Sequence, residues 1–179
     1  MTDFHFCLER EIPSLRRYAR ALTRNSTVGD DLVQETLARA IEKQHLWKPG
    51  TDMRAWLFAI MHNQYVNQVR RAVRDAANVE VEGCPQTLIA TTDPTALRQL
   101  RELEHALGEL REEQRQVVLL VGLEGMSYDE TAAILNVPVG TVRSRLSRGR
   151  ETLRQLMNIE DERPSRTPER YPCAAPLAA

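Results

Sequence analysis

The sequence predicts an all-α protein of two small helical domains joined by a flexible linker. Three observations carry this reading. Apolar residues recur at helical spacing from about residue 7 to residue 157. A single stretch, DAANVEVEGCPQTLIATTDP, interrupts that periodicity and holds Gly83, Pro85, Thr91, Thr92 and Pro94. Aromatic residues make up 5% of the 179 residues, and no glycine-rich loop occurs. The expected organisation is an N-terminal helical domain over 1–76, a linker over 77–94, a C-terminal helical domain over 95–157 and a tail over 158–179. The tail contains Pro164, Pro168, Pro172 and Pro176 with few large apolar residues, a composition expected to stay disordered.

Within the first domain, DDLVQETLARAIEKQ reads as one amphipathic helix. Val33, Leu37 and Ala40 share a face, and Asp31, Glu35, Ala38 and Glu42 line the other. Such an acidic stripe is either a docking surface or simply solvated. The turn KPGT follows, with Thr51 or Asp52 placed to cap the next helix, MRAWLFAIMHNQYVNQVRRAVR. Its first half is apolar almost all round, as expected of a helix buried by several neighbours. A stripe about 60° wide runs along it through Trp56, Asn63, Asn67, Arg70 and Arg74. An aromatic, two amides and two guanidiniums on one line suit unstacked bases and a phosphate backbone. The competing reading is a Trp at the core edge beside solvated amides.

The second domain ends in MSYDETAAILNVPVGTVRSRLSRGRETLRQL. Ser127 and Glu130 have the spacing of a capping box, and Ala132, Ala133, Ile134 and Leu135 supply an apolar side. Asn136-Val137-Pro138 ends this helix, with Pro138 suited to the first turn of another. At about 100° per residue, Val142, Leu146, Gly149, Leu153 and Leu156 of the second helix fall on one stripe. Arg143, Ser144, Ser147, Glu151 and Arg148 lie opposite. Two short helices, a tight turn and a basic second helix fit a helix-turn-helix that enters a major groove. A solvated charged face is the alternative.

The net charge of −1 hides a strong segregation. Over residues 138–156 five Arg stand against one Glu, a local +4; over 52–75 four Arg stand against two Asp, a local +2. Over 30–46 four acids stand against Arg39 and Lys43, a local −2. Opposed patches point to two kinds of partner, one of them polyanionic. Cys7, Cys84 and Cys173 are scattered and odd in number, which fits reduced thiols and no metal site. No HExxH, GxSxG or P-loop occurs, so no catalytic residues, metal or cofactor are expected. No apolar run approaches the ~18 residues of a membrane span.

Three blocks, in order, resemble the extracytoplasmic-function (ECF) sigma factors of bacteria: DDLVQETLARA, GTDMRAWLFAIMHNQYVNQVRR, and LREEQRQVVLLVGLEGMSYDETAAILNVPVGTVRSRLSRGRETL. The resemblance spans about residues 10–157. It implies a cytoplasmic bacterial protein that partners core RNA polymerase, promoter DNA and an anti-sigma factor. It also implies roles for particular residues. Asp31, Gln34 and Glu35 would meet core polymerase. Asn63 and Asn67, with Arg70 and Arg71 on the backbone, would engage the −10 element, to which the helical stripe adds Trp56 and Arg74. Arg143, Ser144, Ser147 and Arg148 would engage the −35 element, with Thr141 beside them. Gly149 stands where many relatives carry Ala, which should soften its helix by up to ~1 kcal/mol. A stand-alone helix-turn-helix regulator remains the alternative function.

Overall fold

The structure is a computed structural model that describes residues 4–48, 50–75 and 94–158. The stretch expected as a linker lies almost wholly outside these residues, and the Pro-rich tail does so from residue 159 on. The described residues form seven α-helices and no strand: α1 (Phe4–Thr23), α2 (Ser26–Glu42), α3 (Met53–Asp75), α4 (Pro94–Glu109), α5 (Glu112–Val118), α6 (Tyr128–Leu135) and α7 (Val139–Leu156). One 3₁₀ turn, Gln44–Leu46, follows α2, and one π-helical turn, Leu119–Leu123, continues α5.

Local chemistry sets the helix ends. Arg24 takes a left-handed conformation (φ 59°) and its N–H bonds Arg20 O at 2.9 Å, closing α1. Asn25 opens α2, its side chain accepting from the N–H groups of Thr27 and Val28. At the start of α3 the cap is Asp52, whose carboxylate accepts from Arg54 N at 2.9 Å and Ala55 N at 3.2 Å. The capping box of α6 is complete, with Ser127 and Glu130 each bonding the other's backbone N–H. Left-handed Asn136 (φ 52°) ends α6. Pro138 stands one position earlier than expected, as the extended residue just before α7 rather than within its first turn.

One apolar cluster runs through both halves of the chain. Leu15, Tyr18 and Leu22 of α1 meet Leu32 and Val33 of α2 and Leu57, Phe58 and Met61 of α3. The first half of α3 is thus buried as its sequence predicts. Tyr18 and Phe58 pack edge to face, 5.1 Å between centroids. The same cluster continues into Val117, Leu120, Ile134, Leu135, Val142 and Leu146. The stripe predicted on α7 is buried at Val142, Leu146 and Gly149, but it fades toward the helix end, where Leu156 is 44% exposed.

Gly149 has a role that helix propensity alone does not suggest. A Cβ built there would lie 2.8 Å from Val118 Cγ2, so the missing side chain lets α5 and α7 approach. The propensity gain of up to ~1 kcal/mol from Ala therefore meets an overpacking cost of about 1–3 kcal/mol. Gly149→Ala is expected to lower stability by about 1 kcal/mol in urea denaturation, and Val118→Ala in the same chain should recover most of that loss. Additive effects of the two substitutions would show that they do not share a contact.

Candidate nucleic-acid interface

The helix-turn-helix is built from the bottom up. Val137 N bonds Ala132 O at 3.0 Å, closing the end of α6 and fixing where the chain turns toward α7. With Val142 and Leu146 buried beneath it, the opposite side of α7 must face outward. Arg143, Ser147 and Arg148 are exposed there, while Thr141 and Ser144 are half-buried. The Ser144 hydroxyl donates to Thr141 O at 3.0 Å, so this pair is partly engaged within its own helix. The Arg143 guanidinium lies over the Tyr128 ring, 5.9 Å from its centroid, which steadies it without removing its charge. Among the described residues no carboxylate pairs with Arg143 or Arg148, whereas Glu151 is taken by Arg154 and Gln155.

On α3 the predicted stripe divides. Asn63, Asn67, Arg70, Arg71 and Arg74 are exposed. An open hollow of about 620 Å³ at the helix end is lined by Asn67, Val69, Arg70, Arg71, Val73 and Arg74. No ion pair engages those three arginines among the described residues. Trp56 differs: it is half-buried, edge to face with Phe4 at 6.2 Å between centroids, in a group that also holds Trp47. Its ring is occupied by neighbours in the fold.

The acidic segment of α2 also divides. Asp30 is used internally: Arg20 Nε and Nη2 donate to its two oxygens at 3.1 and 2.8 Å, and these bonds hold its carboxyl below the ordinary range. Asp31, Gln34 and Glu35 remain on the outer face, with Glu35 accepting from Gln68 Nε2 of α3 at 3.0 Å. Three surfaces result, two cationic on α3 and α7 and one acidic on α2.

Sequence reasoning missed one group. Glu124 follows the π turn, and its side chain is 0% exposed. Arg17 of α1 donates from Nε at 2.9 Å and from Nη2 at 2.8 Å, a bidentate pair. Arg54 of α3 adds a bond at 2.6 Å to the same carboxylate and one at 2.8 Å to the Glu124 backbone oxygen. Arg54 therefore does not belong to the free cationic surface counted over residues 52–75. No local signal marks this triad, because its members lie 107 and 70 positions apart.

Comparison with known proteins decides the family. Residues 8–62 match the sigma2 domain of PhyR, and residues 100–153 match sigma-70 region 4. The ECF RNA polymerase sigma factor EcfG of Rhodopseudomonas palustris (strain TIE-1) is 37% identical over 149 residues, covering 83% of this chain and 82% of that protein. The chain belongs to the ECF sigma factors. This sigma factor superposes on RpoE from Bartonella quintana, solved with the anti-sigma factor NepR, with a TM-score of 0.79 at 34% identity over 89% of this chain and 99% of that one. CnrH, solved with the cytosolic domain of CnrY, gives 0.63 at 28% identity over 87% of each chain. Membership of this family disfavours the stand-alone regulator. Among the described residues of the sigma factor, no helix is long and apolar enough to cross a membrane, and no cluster of His, Cys, Asp and Glu could hold a metal.

The Ser127–Glu130 cap supplies a pH test of how firmly the helix-turn-helix is set. Bonds from the Ser127 side chain and then its backbone N–H lower the Glu130 pKa. A depressed carboxylate stabilises above its unfolded value, about 4.3, and that stability is lost as pH falls through the folded value. The melting temperature of wild type should exceed that of Glu130→Gln at pH 7. The gap is expected to close on acidification below pH ~4; a gap independent of pH would place the charge of Glu130 outside the cap.

Proposed function

We propose that this sigma factor divides promoter recognition between its halves. Residues 95–157 dock in duplex −35 DNA through Thr141, Arg143, Ser144, Ser147 and Arg148. Phosphate contacts set the register and base-edge bonds provide the selection. Residues 1–76 capture the unpaired −10 strand with Asn63 and Asn67, while Arg70, Arg71 and Arg74 hold its backbone. Trp56 supports that surface from the aromatic group beneath it. Asp31, Gln34 and Glu35 bind core polymerase. The chain does no chemistry of its own and needs no cofactor; it acts in the cytoplasm, where polymerase works. An anti-sigma factor keeps it silent, as the names of its structural neighbours suggest by analogy.

The observation that carries this reading is the set of unpaired guanidiniums on α3 and α7, on a chain whose net charge is only −1. Exposed arginines without acidic partners are a matching surface for phosphate. In run-off transcription with core polymerase, Arg143→Ala and Arg148→Ala should each weaken promoter binding by ~1–3 kcal/mol while the thermal melt stays near wild type. Wild-type promoter use by either variant would remove that residue from the reading face.

The acidic face is tested separately. Asp31→Lys with Glu35→Lys should abolish capture by core polymerase and leave far-UV circular dichroism unchanged, because Asp31 and Glu35 lie on the outer side of α2. Undiminished capture would make this face merely solvated.

A further inference from the structure

The geometry points to Glu124 as a latch that holds the free sigma factor closed, in a form unable to read both promoter elements at once. This rests on the division of labour proposed above. Three observations support it. The Glu124 carboxylate is fully buried, and its guanidinium partners, Arg17 and Arg54, both come from the other half of the chain. Secondary bonds reinforce the same closure: Arg115 Nη1 donates to Leu22 O, a carbonyl at the end of α1, at 3.3 Å, and Arg24 Nη1 to Gly108 O at 3.4 Å. Beneath them the apolar cluster is continuous between the halves.

The closed form conflicts with the reach that promoter reading demands. Elements named for positions −35 and −10 lie about 25 base pairs apart, or about 85 Å of duplex at 3.4 Å per pair. A compact body of this size has a radius of gyration of about 14 Å and so a width of about 35–40 Å. No placement of α3 and α7 within such a body spans that length. Residues 76–93 permit at most about 65 Å of covalent separation, so the halves can part without unfolding. The arrangement seen here instead coincides, over 89% of the chain, with that of a sigma factor bound by an anti-sigma factor. Closure is therefore encoded in the sigma chain itself, and a bound inhibitor would reinforce it rather than create it.

Opening must unmake the triad. A carboxylate and two guanidiniums leave a shared site for water, and each is rehydrated as it goes. Removing the arginine charges leaves the Glu124 carboxylate buried and unpaired, and removing the Glu124 charge leaves the two half-exposed guanidiniums without the carboxylate that joins them, so substitutions on either side should favour the open form.

The test uses the full chain. Glu124→Gln, and separately Arg17→Gln with Arg54→Gln, are compared with wild type by small-angle X-ray scattering and by the rate of complex formation with core polymerase. Expected are a larger radius of gyration for both variants, unchanged helical content and association several-fold faster. Wild-type radius and rate in folded variants would overturn the latch. If the variants lose helix, energy transfer between labels at Ala38 and Glu151 of the otherwise native chain decides. High transfer in free protein falling sharply in the promoter complex supports the latch, and equal transfer in both states overturns it. Failure of the wild-type holoenzyme to use any promoter would instead sink the proposed division of labour, whatever the radius of the free chain.

Discussion

A carboxylate cannot stay charged in an apolar interior unless its lone pairs are filled, and Glu124 meets that condition only by drawing arginines from two distant helices. The relative placement of the halves follows from this constraint. Apolar burial around Leu15, Phe58, Leu120 and Val142 supplies most of the free energy of the shared core, because that term scales with area and does not depend on direction. The ionic triad adds geometric selection: a bidentate pair holds within a few tenths of an ångström, where a greasy contact slides. Burial sets how strongly the halves adhere, and Glu124 sets where.

With the closed core specified, the remaining charge sorts itself by whether an acceptor is near. Arg17, Arg20, Arg54 and Arg115 are spent inside the protein, on carboxylates or on carbonyls at helix ends. Arg70, Arg71, Arg74, Arg143 and Arg148 are left outward on helices whose other faces are apolar. On the acidic side, Asp30 is consumed by Arg20 while Asp31, one residue on, is free of that helix pair. A near-zero net charge thus coexists with three surfaces of defined sign, two cationic and one acidic.

Much of this was legible in the sequence where the determining contacts are local. The Ser127–Glu130 capping box, the break at Asn136 and the stripe through Val142, Leu146 and Gly149 all depend on residues within a turn or two of one another. The burial of early α3 followed from its lack of a polar face. Long-range chemistry was opaque. No residue near Glu124 in the chain marks it, and Arg54 was counted as surface charge because its partner lies 70 positions away. Trp56 fitted a base-stacking stripe on the wheel, yet a wheel carries no record of Phe4. Gly149 read as a weakness in α7 until Val118 was placed against it.

The π turn at Leu119–Leu123 has a consequence for how such chains diversify. Its backbone bond from Glu124 N reaches back five residues to Leu119 O at 3.0 Å, a wider coil than an α-helix. The wider coil already takes up one extra residue, and a second one wound as α-helix would swing all that follows by about 100°. The helix-turn-helix would keep its internal shape and its outward side chains, but Glu124 would no longer meet Arg17 and Arg54. A one-codon change in length can thus unmake the ionic triad between the halves and leave the helix-turn-helix itself intact.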